Sequence, residues 1–248
     1  MVKIAHASLS ENRTVNGTRG DQTGKEVCIR GYYVKPWTAV LRFKDPQMRE
    51  RVAVAMEKAA NNDFWGYSQN DRNSGLIEAR KVGYDPEKVA KPVNTDCSAL
   101  VTLACIYAGI PEGVLVIDGN SATTSTLRPR LKATGTVDIF TTGEYTRDSD
   151  RLVRGDILLA EGSHVAVVVS SDLIADNPFI EPHIVLKKGM TGDGVKWLQW
   201  ELNRLGYVLE IDGDFGELTE NAVKKFQTRY FVDCKVGSQT RGALKTSK

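Results

Sequence analysis

Histidine and cysteine are scarce in this chain. Three histidines (His6, His164, His183) and four cysteines (Cys28, Cys97, Cys105, Cys234) are scattered over 248 residues, with no Cys-x-x-Cys pair. Neither a zinc cluster nor a disulfide framework is indicated, and no metal or other cofactor is expected. Charge of one sign is not in excess: 33 Lys and Arg face 31 Asp and Glu, a net charge of +2. That balance gives no electrostatic reason to expect a nucleic-acid partner. No apolar run approaches the roughly 18 residues of a membrane span. The opening residues, Met1-Val-Lys-Ile-Ala-His6, do not read as a signal peptide. What is present is ordinary for a globular protein, 41% hydrophobic and 26% charged, and long enough for one large domain or two modest ones.

Pro178 and Pro182 each remove a backbone donor and bias the preceding residue to an extended form, which predicts a linker over 177–183. Beyond it the texture changes. The glycine-rich run Gly189-Met-Thr-Gly-Asp-Gly-Val195 opens a helical pattern with Val195, Leu198, Leu202 and Leu205 on one face, closed by Gly206. An internal repeat follows, in which Asp212, Gly216, Thr219 and Ala222 recur as Asp233, Gly237, Thr240 and Ala243. One turn–helix unit is used twice, so residues 184–248 are expected to form a small all-α module of three helices. Its pattern, from Gly192-Asp-Gly-Val195 through Asp212-Gly-Asp-Phe-Gly216 to Phe226-Gln227, resembles the peptidoglycan-binding type 1 domain. It departs at Cys234, where that family has glycine.

Residues 1–176 mix both kinds of pattern. Short strands are expected over 28–34 and 37–43 around Lys35-Pro36, and Asp45-Pro46 predicts the cap and first position of a helix. Met48, Val52, Ala55, Met56 and Ala59 form its apolar stripe. Further helices are expected over 73–82, from Cys97 to Gly109, and over 123–132. Strands at 155–160 and 163–169 flank a turn at Glu161-Gly162, with a third at 173–175. Helices packed on an antiparallel sheet, an α+β arrangement, follow from this order.

Two residues stand out chemically. Cys97 opens an apolar helix after Asn94-Thr-Asp96, where the free N–H groups and partial positive charge of a helix start favour thiolate. His164 opens a strand, and a neighbouring imidazole could take the thiol proton and return it to a leaving amine. Cys28, Cys105 and Cys234 are read as structural. Asp96-Cys97-Ser98, Arg154-Gly-Asp-Ile157 and His164-Val-Ala-Val167 together resemble the papain-like cell-wall hydrolases of the NlpC type and their CHAP relatives, over residues 64–176. The resemblance implies a papain-like cysteine hydrolase domain over 1–176, with Cys97 as nucleophile and His164 as base. It also implies Asp176, or the adjacent Asn177, as the polar group behind the imidazole. Tyr67 would line the pocket, and Asp96 and Ser98 would hold a substrate amine. Residues 1–63 lie outside it. There His6, Asp21 and Gln22 read as an exposed turn, or as a polar arm touching substrate. Asp21 and Glu26 could instead ligate calcium, although no Asp-x-Asp-x-Asp-Gly loop is present.

These resemblances together imply an endolysin-like peptidoglycan hydrolase. Bacterial peptidoglycan is the expected partner, and no membrane or nucleic acid; the chain is expected to be a monomer. It would wait in the host cytoplasm and then act at the cell wall. The scissile bond is expected to be an amide of the stem peptide. The alternatives are the bond cut by an N-acetylmuramoyl-L-alanine amidase, or a non-catalytic wall-binding protein.

Overall fold

Residues 4 to 7, Ile-Ala-His-Ala, are buried without a break, as a strand covered on both faces requires. In the computed structural model they lie in β1 (Lys3–Ala7). The structure describes residues 1–9, 13–171, 177, 179–228 and 232–247. The chain divides into two units, Met1–Leu173 and Ile174–Lys248.

In the first unit β1 is followed by β2 (Val27–Gly31), β3 (Ala39–Phe43), α1 (Pro46–Ala60), β4 (Trp65–Tyr67), α2 (Ser74–Arg80), β5 (Val93–Thr95) and α3 (Cys97–Tyr107). Then come α4 (Glu112–Leu115), β6 (Val116–Ile117), β7 (Asn120–Ser121), α5 (Leu127–Ala133), β8 (Val137–Phe140), α6 (Gly143–Thr146), β9 (Ile157–Ala160) and β10 (His164–Ser170). Six strands form one sheet in the order β2-β1-β10-β9-β3-β8, with every neighbouring pair antiparallel. One face packs Ala5, Ala7, Leu41, Phe43, Val165 and Val167 together with α1 and α3. The other carries a smaller cluster of Ile4, Val40, Leu158 and Val168 with Trp37 and Leu152. The unit is thus mixed α and β on an antiparallel sheet.

Local rules account for several elements. Asp45 caps α1 by accepting from the Gln47 N–H at 2.8 Å, with Pro46 at the first position. The β9–β10 hairpin pairs His164 with Ala160 across the expected turn. Gly155, at φ +87, brings its backbone so close to Arg49 that a Cβ would lie 2.3 Å from the Arg49 carbonyl oxygen, so only glycine fits. Beside it, Asp156 is fully buried and held by Arg42 through two contacts of 2.7 Å. The strands expected on either side of Lys35-Pro36 do form, but not as neighbours. β2 and β3 are separated by β1, β10 and β9, and the segment between them instead carries Tyr32, Tyr33 and Trp37 against the second face. The strand expected at 173–175 lies outside the described residues.

The described residues of the second unit hold α7 (Asp193–Arg204), α8 (Glu217–Gln227) and α9 (Ser238–Thr246). Leu198, Leu202, Phe215, Val223, Phe226 and Leu244 form its core. The internal repeat is visible as hydrogen bonding. Gln199 Nε2 donates to Asp212 Oδ1, the Asp214 carbonyl and Thr219 Oγ1. Gln227 Nε2 donates in the same way to Asp233 Oδ1, the Lys235 carbonyl and Thr240 Oγ1. Residues expected as a linker over 177–183 are instead fastened to this unit. Glu181 pairs with Arg241 and Lys245 at 3.3 and 2.7 Å, and Phe179 packs against the core.

Candidate functional site

β5 leads through Asp96 straight into α3. Asp96 caps the helix, its Oδ1 accepting from the Ala99 N–H at 2.7 Å. β4 runs parallel to β5, with Tyr67 opposite Thr95, which places Tyr67 beside the start of the helix. This parallel pair is close because Gly66 faces Asn94 and Thr18, where a Cβ would stand 2.5 and 2.8 Å from their oxygens. Burial, with the nearby Cys97 and Asp96, pushes the Tyr67 phenol up to about 12.

Arg72 organises the same corner. Its Nε donates to Asp96 Oδ2 at 2.6 Å, and its Nη2 to Asp96 Oδ1 and Ser98 Oγ at 3.2 and 2.8 Å. Ser98 Oγ in turn donates to Asp96 Oδ1 at 3.0 Å. The remaining guanidinium donors meet the Ser121 and Ala122 carbonyls. The Asp96 carboxylate is therefore held by Arg72, Ser98 and Ala99. These bonds fix the helix start, three of them on Oδ1 and the Arg72 Nε bond on Oδ2.

Cys97 is the first residue of α3 and is buried. Burial pushes its thiol up to about 12, and the Asp96 charge adds to this; the backbone N–H groups of Val165 and Ser98 and the Arg72 charge pull the other way. Desolvation outweighs the helix start here, so the expectation of a resting thiolate is corrected to a resting thiol. Cys97 lies in one buried cluster with Val165, which follows His164 on β10. This brings the nucleophile candidate to the start of β10, where the base candidate sits.

His164 is nearly buried. Its Nε2 lies 2.9 Å from His6 Nδ1, the two rings meeting edge-on at 5.1 Å and 80°. Trp37 stacks on the other side at 6.2 Å. Burial first, then the positive charges of the surroundings, lowers His164 to about 3 and His6 to about 4, so both rings are neutral near pH 7. His6 belongs to β1, between β2 and β10, not to an exposed turn or arm. The alternation of Ile4 and His6 against Ala5 and Ala7 was the available signal. Asp176 lies outside the described residues. Asn177 donates from Nδ2 to the Trp197 carbonyl and Glu201 Oε1, both at 3.0 Å, within the second unit.

The other N-terminal candidates are used locally. Asp21 Oδ1 accepts from the Thr23 N–H and hydroxyl, Gln22 Oε1 from the Val27 N–H, and Glu26 Oε2 from the Gly24 N–H. Among the described residues, no group of three or more His, Cys, Asp or Glu side chains is placed to hold a metal ion. Concavities of about 390 and 340 Å³ flank Cys28 on β2, and neither is lined by Cys97 or His164.

Residues 4–174 match the family model described as an endolysin-like domain, and residues 191–244 match that of a peptidoglycan binding domain. No match is found among curated proteins. Among solved structures the chain is similar to a peptidoglycan-binding protein from Clostridioides difficile, crystallised in complex with glutamine hydroxamate. The identity is 25%, over 44% of this chain and 68% of that one, at a TM-score of 0.25. No helix among the described residues is long and apolar enough to cross a membrane. With more than half of its length matched by the first model and a wall-binding domain behind it, the chain belongs to the endolysin-like domain family and is a cell-wall-acting, endolysin-like protein.

Proposed function

We propose that the chain is a cysteine-dependent peptidoglycan hydrolase of papain-like type, which cleaves an amide bond in the peptide part of the wall. The observation that carries this reading is that Cys97, the first residue of α3, packs in one buried cluster with Val165 of β10. It joins the start of a buried helix to the residue that follows a buried, neutral histidine, two elements far apart in sequence.

Chemistry follows from the resting protonation. The thiol passes its proton to a His164 ring nitrogen as the sulfur attacks the amide carbon. Thiolate and imidazolium thus appear together and stabilise one another at a site where neither is stable alone. Backbone N–H groups at the start of α3 meet the developing oxyanion. The imidazolium returns the proton to the leaving amine, giving a Cys97 thioester. Water, deprotonated by His164, then hydrolyses the thioester to a free carboxylate and restores the thiol. Arg72, Asp96 and Ser98 hold the helix start, and Tyr67 walls the pocket.

Cys97→Ala and His164→Ala are each expected to lower lysis of purified walls by about 10³-fold or more, with circular dichroism unchanged. Retention of more than a few per cent of turnover in either variant would exclude the assignment. Mass spectrometry of released fragments identifies the bond. A new peptide amine within the stem supports endopeptidase action, and a free L-alanine amine next to lactyl-muramic acid gives amidase action instead. Wall binding without any release would leave only a binding protein.

A further inference from the structure

We propose that His6, from the first strand of the chain, is the positioning residue that holds the His164 ring in its working orientation. This rests on the reading of Cys97 and His164 as the reacting pair. Geometry carries it: His6 Nδ1 stands 2.9 Å from His164 Nε2, a hydrogen-bond distance for two ring nitrogens. His6 Nε2 is buried without a hydrogen-bond partner, so the ring is engaged through the one nitrogen that faces His164.

The strand layout explains why this contact is fixed. β1 is antiparallel to β10, with Ile4 opposite Val168 and Ala5 opposite Val167, so β1 advances toward the start of β10 as it reaches His6. On its far side β1 is tied to β2, with His6 opposite Cys28. A residue locked between two neighbours on a sheet cannot drift from the ring it touches. The order of the three residues along the chain, His6, Cys97, His164, separates the positioning group from the base by nearly the whole unit. An orienting group sought only downstream of His164 is missed for that reason.

The division of labour around His164 is specific. Trp37 stacks on the ring at 29° and so restricts its plane. A half-turn about Cβ–Cγ keeps that plane yet exchanges nitrogens for carbons, and stacking does not prevent it. A partner at Nε2 does, because the flipped ring would present carbon to His6 Nδ1. With Nε2 occupied, Nδ1 is the nitrogen left for the thiol. When Nδ1 takes the Cys97 proton, the imidazolium carries a proton on each nitrogen, and Nε2–H donates to the His6 Nδ1 lone pair. The His6 proton stays on its own Nε2, so no proton leaves the pair at this step.

Three variants of the full chain test this, assayed on walls and for alkylation of Cys97 by iodoacetamide with peptide mapping. His6→Asn places an amide oxygen or nitrogen where Nδ1 stands and is expected to retain kcat within about tenfold. His6→Gln and His6→Leu are expected to lose about 10²- to 10³-fold in kcat with KM little changed, and to slow Cys97 alkylation. The proposal is overturned if His6→Leu keeps wild-type kcat, or if Asn and Gln are equally impaired in soluble, folded protein. Should His6→Leu not fold, the Asn-against-Gln comparison decides. Cys97→Ala in the same assay separates the two levels: an active Cys97→Ala removes the reacting pair itself, whereas an inactive Cys97→Ala beside an active His6→Leu removes only the role of His6.

Discussion

At Cys97 two physical effects oppose each other. The start of α3 offers free N–H groups that stabilise a negative sulfur, while the apolar surroundings penalise any charge, and the penalty wins. The same competition sets the two rings, His6 at about 4 and His164 at about 3 against 6.5 for a free histidine. This has a consequence for stability. Between pH 6.5 and about 4 the unfolded chain binds protons at these positions and the folded chain does not. Stability from both rings is therefore full above pH 6.5 and falls as pH drops below it, by up to about 1.4 kcal/mol per pH unit for each ring. Urea unfolding of the first unit is expected to show its midpoint falling from pH 7 to pH 5, above the range where most carboxylates titrate. His6→Asn is expected to flatten that slope by about half. A midpoint independent of pH over this interval would show that the rings are not held neutral.

Elements were legible in the sequence wherever a local rule was strong. The Asp45 cap, the α1 stripe, the all-apolar α3 and the β9–β10 hairpin are each dictated by neighbours in sequence, and each stands where its residues indicate. Long-range pairing was not legible. Nothing in residues 28–43 announces that β2 and β3 sit at separate places in the sheet, and nothing near His164 points to β1, because both facts depend on contacts more than 100 residues away. Cys97 and His164 could be read from their positions at element starts, whereas the Arg72 grip on Asp96 could not. The repeat in the second unit is an intermediate case. Its offset predicted equal turns and left Cys234 as the exception, and the structure builds both turns alike. Cys234 adopts φ +56 where Gly213 has φ +79, with its N–H on Gln227 Oε1 at 2.9 Å. A side chain costs roughly 1–2 kcal/mol in that left-handed region, and glycine returns about half of the gain as unfolded-state entropy. Cys234→Gly is thus expected to stabilise the second unit by about 0.5–1 kcal/mol and raise its melting temperature by roughly 2–6 °C. A calorimetric scan in reductant checks this, and an unchanged or lower transition would mean that Cys234 packing offsets the backbone strain.

For the whole molecule, the proposed hydrolase function would let the two units divide two problems that an insoluble substrate poses. The first unit carries Cys97 and His164, and the second matches a peptidoglycan binding domain with a core of its own built on Leu198, Phe215 and Phe226. Holding an enzyme on a polymer replaces repeated encounters from solution with a local concentration set by the tether, a gain that disappears when the substrate itself diffuses freely. Removing residues 174–248 is therefore expected to lower the rate on intact walls by about 10- to 100-fold at dilute enzyme. Cleavage of a soluble wall peptide should change by less than about twofold, and excess enzyme should narrow the difference on walls. The two substrates must be assayed on the same preparation, with the far-ultraviolet spectrum confirming that the first unit is folded. A parallel loss on both substrates would show that the second unit supports the fold or the site of the first. Equal activity on both would show that wall attachment does not limit the reaction, and the α7–α9 unit would then need a role other than anchoring.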